Sequence, residues 1–133
     1  MNDNEQTNII NDSRIPHKTT ASSIIAKYES SSLEEISNET PNVISAEIVL
    51  LSAKLHEAAS LTFKSESILM KKWGELRSEI CETDGQADKR IKTTDEYLAF
   101  KQAQVNEKIV IEVIRALKKL LQAKADEMRN LGG

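Results

Sequence analysis

From Ser45 onward, apolar side chains recur in alternating steps of three and four residues. That period confines this part of the chain to helices packed along their length. Ile48, Leu51, Leu55, Ala58, Thr62, Ser65 and Leu69 make the stripe, which takes one extra four-residue step to Trp73 and continues through Leu76 to Ile80. The extra step is a stutter, a local change of winding within one long helix. Ser45 suits the N-cap, and Glu47 places negative charge in the first turn, where the helix dipole favours it. Asp84-Gly85 is the expected stop, because glycine tolerates the left-handed conformation that ends a helix. Gly74 falls inside and costs about 1 kcal/mol relative to Ala, in exchange for a bend or a close helix approach beside Trp73.

A second periodic stretch opens at Thr93-Thr94-Asp95-Glu96, a cap followed by an acidic first turn. Leu98, Val105, Ile109, Val113, Ala116, Leu120 and Ala123 form one stripe, and Val110, Ile114, Leu117, Leu121, Met128 and Leu131 form an adjacent one. The spacing predicts helices over 46–81 and 95–130 with a polar turn at 82–94. Each helix is about 54 Å long at 1.5 Å per residue. Two equal helices on a short connection fold back as an antiparallel, coiled-coil-like hairpin, so the fold class is all-α over 45–131. The second helix carries seven large aliphatic residues between Val110 and Leu121, more than one partner helix covers. Each such side chain left wet forgoes roughly 1.5–3 kcal/mol. The expectation is a homo-oligomer whose interface includes Ile109, Val110, Val113, Ile114, Leu117, Leu120 and Leu121.

Residues 1–44 differ. They are crowded with Ser, Thr and Asn, and their apolar residues are too sparse to offset the entropy of ordering, so the segment reads as a disordered, acidic and polar arm. Two short pieces have the pattern to fold on a partner: Ile24, Ile25 and Tyr28 in one, and Leu33 and Ile36 in the other. In the second, Ser32 and Glu35 have capping-box spacing. Pro41 closes the segment, since the residue before a proline resists helical geometry.

The chemistry-bearing residues are few. Cys81 is the single cysteine, which removes any intrachain disulfide or multi-cysteine metal cluster and fits a reducing cytoplasm, such as that of a bacterial host. It sits at a helix C-terminus, where the dipole does not favour a thiolate, so it is not read as a nucleophile. His17 and His56 are too far apart for a zinc pair, and His56 has no Ser, Cys or acid placed to make it a general base. Glu79, Glu82, Asp84 and Asp88 cluster near the turn without the spacing of a calcium loop. No Gly-rich phosphate loop occurs, Met1–Ile15 lacks the apolar core of a secretory signal, and no apolar run reaches 18 residues. The expectation is therefore a protein with no catalytic residue, no cofactor, no metal and no membrane span.

Charge is unevenly distributed about the total of −3. Residues 1–50 hold eight acidic and three basic side chains, whereas residues 101–133 hold four and seven. The basic residues recur in clusters: Lys71, Lys72 and Arg77; Lys89, Arg90 and Lys92; Arg115, Lys118 and Lys119. Grouped cations neutralise phosphates without reading bases, and they equally serve as a solvated helix face. Trp73, Tyr97 and Phe100 suit either stacking on unpaired bases or filling the wide end of the hairpin.

Residues 46–131 resemble the small helical proteins of phage recombination gene clusters, in particular recombination mediators of the UvsY type. The resemblance rests on Ala53-Lys54-Leu55-His56-Glu57-Ala58-Ala59, on Lys71-Lys72-Trp73 followed by Leu76-Arg77, and on the charged turn. It also rests on Val113-Ile114-Arg115-Ala116-Leu117-Lys118-Lys119-Leu120-Leu121 and on Asp126-Glu127-Met128-Arg129. It implies an oligomeric accessory protein that binds single-stranded DNA and works with a recombinase, the basic clusters making the phosphate contacts. The alternative is a structural or assembly adaptor, of a phage or a secretion apparatus, whose N-terminal arm docks a protein partner.

Overall fold

The structure, a computed structural model, describes residues 19–30 and 38–132. These residues form four helices and no strand: α1 (Ala21–Ser30), α2 (Pro41–Glu79), α3 (Asp84–Ile91) and α4 (Asp95–Gly132). The fold is all-α.

Each start has a local cause. Thr20 and Ser23 cap α1 reciprocally, Ser23 N donating to Thr20 Oγ1 at 3.1 Å and Thr20 N to Ser23 Oγ at 2.9 Å. Pro41 opens α2 rather than closing the segment before it. A proline has no N–H to leave unsatisfied in a first turn, and its φ is already helical. Thr40 stands in front of it, its carbonyl accepting from Ile44 N at 3.0 Å. The helix therefore begins at Pro41 and not at 46, and Ser45 lies within it, exposed, instead of capping it. Thr94 caps α4 as expected, its Oγ1 accepting from Tyr97 N at 3.2 Å, with Asp95 and Glu96 in the first turn.

The expected turn at 82–94 holds α3. Leu76 O accepts from both Ile80 N (3.0 Å) and Cys81 N (2.7 Å), a widened last turn that ends α2 with no left-handed residue. Gly85 consequently does not act as a stop. It sits inside α3, and no glycine among the described residues has positive φ. Thr83, in extended conformation, caps α3 by accepting from Gln86 N at 3.2 Å.

The chain divides into two compact units. The first comprises Met1–Lys54 and Val110–Gly133, and the second Leu55–Ile109. In the first, Ile24, Ile44, Leu51, Val110, Val113, Ile114 and Leu117 are buried, together with one charged residue, Glu47. In the second, the buried apolar residues are Ala58, Leu76, Ala87, Ile91 and Ala103.

Two expectations change here. Residues 21–30, read as part of a disordered arm, are helical and packed: Ile24 is 2% exposed, and Ile25 and Tyr28 are half-buried. Leu33 and Ile36 lie outside the described residues. The wide apolar face after Ile109 is likewise used internally. Val110, Val113, Ile114 and Leu117 are buried in the unit that contains α1, and Ile109, Leu120 and Leu121 are half-buried. The unit that buries these residues also contains α1 and the first part of α2.

Candidate interaction surfaces

The second unit has an inverted distribution of apolar residues. Only two of its buried residues, Leu76 and Ile91, are large. Seven large hydrophobic residues are exposed: Leu61, Phe63, Ile68, Met70, Ile80, Leu98 and Val105. Three pairs among them are seven residues apart, namely Leu61 with Ile68, Phe63 with Met70, and Leu98 with Val105. Two helical turns separate the members of a pair, so each pair makes a ridge along its helix. The seven-residue repeat is that of side-by-side helix packing.

The period in the sequence located the covered stripe of α2 as far as Leu76, but Ile80, its last expected member, lies past the end of the helix and is 58% exposed. Leu51, Ala58 and Leu76 are buried, and Ile48, Leu55, Thr62, Ser65, Leu69 and Trp73 are half-buried. On α4 burial divides both stripes along the helix: Val113 of the first and Val110, Ile114 and Leu117 of the second are buried, whereas Leu98 and Val105 of the first and Met128 and Leu131 of the second are exposed.

The basic candidates fall into different settings. Lys71, Lys89, Arg90 and Lys92 of the second unit are exposed, and Lys72 is half-buried. Ala87 and Ile91 are the buried residues of α3, and Lys89 points away from them at 3.6 residues per turn. Arg77 is engaged, its Nε donating to Asp84 Oδ1 at 2.7 Å and its Nη1 to the Cys81 carbonyl at 3.4 Å. Arg115, Lys118 and Lys119 are exposed residues of the first unit. The aromatic candidates are all half-buried. Trp73 is half-buried and donates its indole N–H to Asp88 Oδ1 of α3 at 2.8 Å. Tyr97 is half-buried with Lys101 Nζ 5.5 Å from its ring centre, and Phe100 is half-buried.

A third feature is formed only in the fold. Lys27 of α1 donates to Glu39 and, at 2.5 Å, to Glu47 Oε2 of α2. Glu47 is 1% exposed. Glu39 Oε2 and Glu47 Oε1 are buried and receive no proton from the rest of the described chain. Burial pushes the Glu47 carboxyl up, its hydrogen bond with Glu39 adds to this, and Lys27 opposes it, the result being about 7. Burial also pushes Glu39 upward, but the hydrogen bond with Glu47 and then Lys27 outweigh it and hold that carboxyl below the ordinary value. Sequence reasoning missed this cluster, although the spacing carries a signal: Ile44, Glu47, Leu51, Leu55 and Ala58 continue the three-and-four stripe upstream, with a carboxyl in an apolar position.

Among the described residues no group of three His, Cys, Asp or Glu side chains is placed to hold a metal ion. No helix there is long and apolar enough to cross a membrane. Compared with known proteins, the chain matches no family model, no curated protein and no solved structure.

Proposed function

We propose that this protein is a self-associating helical assembly adaptor, whose second unit is completed by copies of the same chain. The observation that carries the reading is the apolar distribution of residues 55–109, in which two large residues are buried, six are half-buried and seven are exposed. Exposed apolar surface of this extent marks an association face. The ridges of α2 and α4 run at the spacing by which helices of a bundle interlock. In this form the copies meet through Leu61, Ile68, Leu98 and Val105, not through the residues following Ile109 that the sequence pattern singled out.

Sedimentation of the full chain at micromolar concentration tests it. The wild type is expected as a dimer or larger particle, and Leu98→Glu with Val105→Glu as a folded monomer of 14.9 kDa. A wild-type particle that is monomeric and fully helical refutes the reading.

A second reading keeps the resemblance to UvsY-type recombination mediators. It is favoured by Lys89, Arg90 and Lys92, which lie within four positions on α3 and its C-cap, exposed and without an ion pair among the described residues. Such a cluster contacts phosphates irrespective of base. With Trp73, Tyr97 and Phe100 held within the fold, base stacking contributes little, and affinity rests on counterion release.

A further inference from the structure

Neither association nor phosphate binding uses the ionisable cluster between α1 and α2. Lys27 reaches from α1 to two carboxyls, one on the connection into α2 and one buried within α2. A cavity of about 370 Å³ lies against the cluster, lined by Ser23 and Ile24 of α1 and Val43 of α2 as well as by the three charged residues. α1 has only ten residues, and an isolated helix of that length is marginal in water. Its place therefore depends on Ile24, on the half-buried Ile25 and Tyr28, and on this cluster.

We propose that Lys27, Glu39 and Glu47 form a proton-operated latch on α1, closed while the two carboxyls share one proton and loosened when that proton leaves. Charge balance is the reason. With the proton in place, the cluster holds one ammonium, one carboxylate and one neutral acid, and it is neutral. Without it, two carboxylates, that of Glu47 fully buried, face one ammonium that is itself part-exposed, and the second carboxylate lacks hydrogen-bond donors for its inner oxygen. The other charged group acting on the site is Lys124 of α4, which attracts Glu39. The remaining lining contributes no charge, being Thr19, Ser23, Ile24 and Val43. The adjoining cavity gives water a way to the carboxylates once the cluster carries net charge.

The sign follows group by group. Glu47, raised from 4.5 to about 7, holds α1 most firmly below pH 4.5, and this contribution is lost as pH rises through about 7. Glu39, lowered, contributes above its ordinary value and is lost as pH falls. Burial pulls Lys27 down, but its bonds to Glu39 and Glu47 win and raise it above 10.5, so its contribution is lost only in strong alkali. α1 is thus held best on the acid side of neutrality and released toward the alkaline side.

Amide hydrogen exchange in α1 of the full chain, corrected for intrinsic rates, reads the latch. Between pH 6 and pH 8 its protection is expected to fall about tenfold, and between pH 5 and pH 8 about 70-fold, by proton linkage. Glu47→Gln keeps a neutral hydrogen-bonding side chain and is expected to flatten the profile. Carboxyl-carbon NMR of the wild type is expected to show one glutamate titrating near pH 7, which decides the question should the variant fail to fold. A flat wild-type profile, an equal slope in Glu47→Gln, or glutamates that all titrate below pH 5 overturns the latch. Sedimentation at both pH values distinguishes this from a change in assembly, since α1 exchange reports the latch whether the particle is monomeric or larger.

Discussion

Ile24→Ala separates an α1 that belongs to the fold from an α1 that is a free docking peptide. Ile24 is 2% exposed, at the margin of the cavity beside Lys27. The substitution removes three carbons, worth about 2.4 kcal/mol at 0.8 kcal/mol per buried methylene. The space left behind adds to this, and Ile→Ala at well-packed sites costs about 2–5 kcal/mol. Here the loss has a ceiling. A ten-residue helix can undock and unfold alone, so the cost cannot exceed the free energy that holds α1 in place. We expect about 2–3 kcal/mol, read as a lower urea midpoint followed by far-ultraviolet circular dichroism, with faster amide exchange concentrated in residues 21–30. Ile25→Ala, at a half-buried position of the same helix, should cost clearly less. A loss below about 0.5 kcal/mol, the level of an ordinary surface substitution, with unchanged exchange in α1, would refute the packing argument.

Gly74→Ala should raise stability by roughly 0.5–1 kcal/mol, because Gly74 lies inside α2 and an added methyl meets nothing within 4 Å. A higher melting temperature confirms this, and a lower one shows that the site is approached by another helix in the assembled particle. Changing Lys89, Arg90 and Lys92 together to Ala should weaken binding of a labelled single-stranded oligonucleotide and reduce its salt dependence by up to about three charges. Anisotropy titrations at two salt concentrations check it, and identical binding by wild type and variant removes the nucleic-acid reading.

How far the sequence can be read is set by which effects are local. The covered stripe of α2, from Leu51 to Leu76, follows from 3.6-residue geometry acting on neighbouring side chains, and so do the Thr94 cap and the acidic first turn of α4. Pro41 was ambiguous because one residue both ends a preceding helix and suits the first turn of a following one. Gly85 has the residue type of a stop, but Leu76 O had already taken the amides that a left-handed residue would otherwise serve. Of the basic candidates, position alone could not separate Arg77, held by Asp84, from the exposed Lys89, Arg90 and Lys92.

By itself the chain determined that it would be helical, where its long apolar stripes lie, and that the face after Ile109 carries more apolar surface than one neighbour covers. Tertiary structure decided what covers it. Ten residues from a Ser-rich segment too poor in apolar groups to order alone become a helix once long-range packing supplies Ile24 with a buried site. The same docking carries Lys27 to Glu47, twenty residues away in the chain, where a glutamate expected in an exposed first turn lies within α2 as a buried acid. A hydrophobic period is written between neighbours; desolvation of a charge depends on what arrives from elsewhere in the chain.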